Sequence, residues 1–130
     1  MPHMIMDHET DPKKQIWDKV GSLEDFAIAN NQVLVAIYIR PEKTKSGIVL
    51  PDNYRDEDRY QSKAALVLKK GPVAFKEENP EWFADFDINV NDWVVYRPSD
   101  GWAITINGVP CRMVKDTSIN MRVPAPDAVW

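Results

Sequence analysis

The segment Thr44-Lys45-Ser46-Gly47-Ile48-Val49-Leu50-Pro51 sets three bare aliphatic side chains in the middle of a polar stretch. Pro41-Glu42-Lys43 precedes it, and the charged run from Asp52 to Lys63 follows. On the far side of each flank the sequence reads as β-strand, Val33 to Arg40 before and Ala64 to Lys69 after. A connection of about twenty residues far exceeds the usual ~4–6, and loops of that length are functional or disordered. The reading is a mobile loop carrying Gly47, Ile48, Val49 and Leu50 toward a groove on another protein. The competing reading folds Ile48 to Leu50 back as an ordinary edge strand.

Working outward, the period around the loop is two. Val33, Val35, Ile37 and Ile39 point one way and Leu34, Ala36 and Tyr38 the other, so both faces of this strand are apolar. Such a strand lies centrally in a sheet or between chains. Gly71-Pro72 ends the second strand. Residues 72–91 read as irregular, with Phe75, Trp82, Phe83 and Phe86 scattered among acidic residues and Pro80. Trp93 to Arg97 is a third strand, followed by the turn sequence Pro98-Ser99-Asp100-Gly101. Trp102 to Ile106 and Val109 to Val114 flank Asn107-Gly108, the strongest short hairpin signal. Ile119 to Val123 makes the last strand before Pro124 and Pro126. Short strands separated by turns predict a mainly β fold, a small barrel rather than a parallel sheet.

The first thirty residues differ. Residues 1–10 read as a loose tail and 11–29 as one or two short helices forming an arm on the β domain or on a neighbouring subunit. Asp11-Pro12 supplies an N-cap and a first-turn proline, Ile16, Trp17 and Val20 recur at helical spacing, and Gly21 stops the turn. Ser22-Leu23-Glu24-Asp25 reads as a second helix start with Leu23 and Phe26 as apolar contacts. The division is a tail and arm over 1–30 and a β domain over 31–130.

Composition excludes more than it assigns. The 130 residues carry 20 Asp and Glu against 16 Lys and Arg, and no basic face suggests nucleic acid or an anionic membrane. Cys111 is the one cysteine, which rules out an internal disulfide framework and suits a cytoplasmic location. The tail has no apolar run of a secretory signal, and no stretch approaches a membrane span. His3 and His8 lack soft ligands nearby, so no metal site is expected. Cys111 has no histidine near it in sequence to activate it, and Thr44-Lys45-Ser46-Gly47 lacks the frame of a phosphate loop. The carboxylates Asp56, Glu57, Asp58, Glu77 and Glu78 read as solvated charge. No enzyme and no cofactor are expected.

Thr44-Lys45-Ser46-Gly47-Ile48-Val49-Leu50, placed between Val33-Leu34-Val35-Ala36 and Asp92-Trp93-Val94-Val95-Tyr96, resembles the GroES-type co-chaperonins, the ten-kilodalton chaperonin family. The likeness runs over about residues 31–123 and closes with Ser118-Ile119. It implies an irregular GroES-like β-barrel whose copies form a homo-oligomeric, typically heptameric, ring that caps a GroEL-type chaperonin with ATP bound to the chaperonin. Gly47, Ile48, Val49 and Leu50 would dock on that partner. Val33, Val35 and Ile37 of the first strand, with Ile119, Met121 and Val123 of the last, would form the subunit contact. The chain departs from the family pattern in its helical arm, in one glycine before Ile48 where two are common, and in Pro124 and Pro126 after the last strand. Such an extended variant is the kind bacteriophages carry. It leaves an alternative of another class: a virion structural protein, a capsid decoration or connector subunit, on the same barrel.

Overall fold

Strand β1 (Gln32–Ile37) lies inside the sheet and hydrogen-bonds on both sides. It runs antiparallel to β2 (Ala64–Lys70) on one side and to β5 (Val109–Lys115) on the other. β3 (Trp93–Tyr96), β4 (Trp102–Ile106) and β6 (Ile119–Val123) complete a six-stranded antiparallel sheet in the order β4-β5-β1-β2-β3-β6. The computed structural model describes residues 11–41, 47–49, 62–75 and 88–128. The tail with His3 and His8, Leu50, the charged run from Asp52 to Gln61, and Trp82, Phe83 and Phe86 lie outside the described residues.

The two-sided apolar pattern of β1 becomes two apolar layers. Leu34, Ala36 and Tyr38 join Ala64, Leu66, Leu68, Trp93 and Cys111 on the first face. Val33 and Val35 join Ala65, Val67, Val94, Tyr96 and Val114 on the second. Alternation survives a register shift between Leu34 and Val35. A strand buried on both faces reads as a near-continuous apolar run, which is how Val33 to Ile37 is written.

Turn chemistry closes the β4–β5 hairpin. Asn107 and Gly108 take φ of 50° and 80°, the pair of left-handed residues a two-residue hairpin turn requires, with Ile106 facing Val109. The turn before β4 is held by the Asp100 N–H donating to the Arg97 carbonyl at 2.9 Å. Between β5 and β6 a short 3-10 turn, Asp116–Ser118, buries Asp116. Its carboxylate accepts from Asn31 Nδ2 and from the Phe75 backbone N–H, both at 3.0 Å.

Helix α1 (Pro12–Val20) starts as its sequence dictates: the Asp11 carboxylate accepts from the Lys13 N–H at 3.1 Å, and Pro12 occupies the first turn. The Gly21 N–H closes it onto the Trp17 carbonyl. The predicted second helix does not form. Ser22 Oγ takes the Glu24 N–H and the Phe26 N–H bonds the Leu23 carbonyl, so these residues make a turn. A serine side chain that captures a nearby N–H offers the backbone an alternative to helix. Leu23 is buried, whereas Phe26, expected as an apolar contact, is exposed.

Candidate docking site

The Ile48 segment hangs from a fixed root. Beyond β1 the Tyr38 N–H still donates to the Ala64 carbonyl at 3.0 Å, and on the returning side Ser62 Oγ donates to the same carbonyl at 3.3 Å. The Tyr96 N–H bonds the Lys63 carbonyl, tying this root to β3. Tyr38 and Trp93 meet edge to face, ring centroids 5.8 Å apart and planes at 80°, the arrangement the aromatic quadrupole favours. Arg40 and Ser62, at the two ends of the loop, are both buried. The described residues next to the loop, up to Arg40 on one side and from Ser62 on the other, therefore belong to the packed body.

Between these ends the described apolar residues, Ile48 and Val49, are mostly exposed. Ile48 is 57 % exposed and Val49 62 %. Val49 makes a single β-bridge but is no part of a strand. Neither side chain belongs to either apolar layer. Gly47 stands before them at φ 92°, a conformation that strains any residue with a Cβ even though open space surrounds it. The fourth expected docking residue, Leu50, lies outside the described residues.

The residues assigned to a subunit contact are dispersed. Val33, Val35 and Ile119 pack in the second-face layer, and Val123 in the first-face layer. Ile37 is buried as well. Met121, 47 % exposed at the middle of β6, is the member that presents substantial surface. β6 pairs with β3 alone and so forms one edge of the sheet, with β4 the other. At the β4 side a cleft of about 510 Å³ is lined by Ala27, Ile28, Ala29, Trp102, Met113 and Lys115. Trp102 is 59 % exposed there. Sequence reasoning missed this cleft, since the apposition of residues 27–29 with Trp102 has no signature in local spacing.

Among the described residues, Cys111 and Tyr96 are packed in the apolar layers. Cys111 is buried in the first-face layer, and burial pushes its thiol up to about 11. Burial likewise raises Tyr96, against the lowering influence of the Arg112 guanidinium beside it. Among the described residues no group of three or more His, Cys, Asp or Glu is arranged to hold a metal ion. No described helix is long and apolar enough to cross a membrane.

Comparison with known proteins bears on this geometry. The family model described as chaperonin 10 Kd subunit matches residues 26–122, a span that contains β1 to β5, β6 as far as Arg122 and the Ile48 segment, and leaves out α1. The co-chaperonin GroES of Halothermothrix orenii is 34 % identical over 79 residues, which cover 61 % of this chain and 76 % of that protein.

Proposed function

This chain belongs to the chaperonin 10 Kd subunit family, and on that premise we propose that it is a co-chaperonin that caps a GroEL-type chaperonin ring through Gly47, Ile48, Val49 and Leu50. The observation carrying this reading is the exposure of Ile48 and Val49, whereas the aliphatic runs of β1 and β2 are packed into the sheet. The chain contributes binding and no catalysis; ATP acts on the partner. No observation favours the virion alternative.

The energetics suit a reversible lid. Burying Ile48, Val49 and Leu50 in a partner groove gains ~1.5–3 kcal/mol each. Ordering the residues around them costs ~1–2 kcal/mol apiece, so one copy is close to neutral. Several copies displayed on one ring turn the later contacts into intramolecular ones and multiply avidity. The ring, heptameric in this reading, assembles along β6, whose outer edge and exposed Met121 are offered to a neighbour. The cleft between residues 27–29 and Trp102 is the receiving surface. Val33 and Val35 then support the contact from within the core.

Amide exchange at residues 47–49 tests the docking. Exchange is expected to be fast in the isolated protein and to slow by at least about tenfold on adding a chaperonin with ATP. Strong protection in the isolated protein, or no slowing on addition, overturns it.

A further inference from the structure

Helix α1 lies outside the region that matches the family, yet it is not detached. Ile16, Trp17, Val20 and Leu23 all belong to the first-face apolar layer, together with Ile106, Val109 and Cys111 of the hairpin. Three long-range hydrogen bonds tie the segment to three separate places. Trp17 Nε1 donates to Asn91 Oδ1 at 2.6 Å, in the turn before β3. Asn107 Nδ2, at the tip of the β4–β5 hairpin, donates to the Val20 carbonyl at 2.7 Å. Lys69 Nζ, near the end of β2, donates to the Leu23 carbonyl at 2.6 Å.

The hold is nevertheless uneven. α1 has nine residues, too few to be stable as an isolated helix in water. Val20 alone within it is fully buried, while Ile16 and Trp17 are only partly covered. β1 and β2, deeper in the sheet, are held by ladders on both sides and by apolar packing on both faces. A weakly anchored element on a strongly anchored one opens first, because local stability follows buried apolar contact.

We propose that residues 11–23 are an intramolecular clasp: a locally weak cover over the hairpin side of the first apolar face, able to open while the sheet stays folded. Its hinge is the turn at Glu24 and Asp25, and what it uncovers is the layer that includes Ile106, Val109 and Cys111. The three tie points make the clasp hold the hairpin tip and the turn at Asn91 at a fixed spacing while it is closed. The clasp serves its own chain and not a neighbour.

Cys111, the one cysteine, is a built-in reporter of opening. The experiment measures amide exchange across the full chain, together with the rate at which dithiobis-nitrobenzoate labels Cys111, at several protein concentrations. Wild-type α1 amides should exchange at least about tenfold faster than those of β1 and β2, independent of concentration. Asn107→Gly keeps a turn-competent residue and removes the bond to Val20, so it should speed both α1 exchange and Cys111 labelling about fivefold while β1 exchange is unchanged. Trp17→Ala should do the same to a larger extent. Equal exchange of α1 and β1 in the wild type overturns the proposal, since the chain then opens as one unit. So does α1 protection that falls on dilution, which assigns the helix to a neighbour, or Cys111 labelling indifferent to the Asn107 variant.

Discussion

Val33 and Val35 in β1 and Ile48 and Val49 in the loop are the same kind of residue close together in the sequence, and their fates are opposite. The first pair is fully buried; the second is more than half exposed. Hydrophobicity does not separate them. What does is backbone pairing: β1 has a partner strand on each side and an apolar layer on each face, while residues 47–49 belong to no strand and to neither layer. Burial here follows from where the chain enters the sheet, and Ile48 and Val49, outside its strands, keep more than half of their surface open.

The contrast breaks most sharply on charge. Val35→Asp places a carboxylate among Val67, Val94 and Val114 and should remove more than ~4 kcal/mol, most of the stability of a domain this size. Urea denaturation or far-UV circular dichroism reads it directly, and a folded Val35→Asp protein would show that β1 is less enclosed than its packing states.

A second test uses pH on the buried side of the comparison. The Cys111 thiol is raised from 9.0 to about 11 in the folded protein, so between those values the unfolded chain releases its proton first. The folded state then binds more protons, and stability falls as pH rises, by up to about 2 kcal/mol across the window. Below about pH 9 the contribution is fully present. Tyr96, also raised by burial, adds to the loss in the same direction at the alkaline end. Denaturation midpoints measured across this window should fall less steeply for Cys111→Ala than for the wild type; equal slopes would deny the shift.

A smaller effect is expected at the hairpin that pairs with β1. Gly108→Ala forces a Cβ into a left-handed conformation at φ 80° and should cost about 1 kcal/mol, seen as a lowered thermal midpoint with the fold unchanged. The smallest stability effect belongs to the exposed pair. Ile48→Asp should shift stability by less than ~0.5 kcal/mol, as for a mostly exposed position outside both apolar layers.

All six strands were legible in the sequence because each carried a local signal: alternation in Val33 to Ile37, Asn107-Gly108 for the hairpin, Pro98 to Gly101 for the turn before β4. The start and stop of α1 were equally local, in Asp11-Pro12 and Gly21. The exposed character of Ile48 and Val49 was legible from the polar residues around them. What failed or was missed depended on partners far away in the chain. Ser22-Leu23-Glu24-Asp25 looks like a helix start until the Ser22 hydroxyl captures the Glu24 N–H. Trp17 with Asn91, Lys69 with Leu23, and Asn31 with Asp116 are pairs that no spacing rule brings together. The subunit-contact residues came from the family resemblance and the two-sided apolar pattern of the first strand, neither of which says which face a neighbour reaches. Met121 keeps its surface, while Val33 and Val35 are enclosed by β2, β5 and the second-face layer.

The direct test of the account is the affinity of this protein for a GroEL-type chaperonin ring in the presence of ATP, compared between wild type and Ile48→Asp by interferometry, with assembly mass and thermal midpoint taken on the same samples. The account predicts tight binding that depends on ATP for the wild type, at least about a hundredfold weaker binding for the variant through loss at every copy, and unchanged mass and melting. Equal binding by the two proteins, or a variant that loses its fold together with its binding, would contradict it.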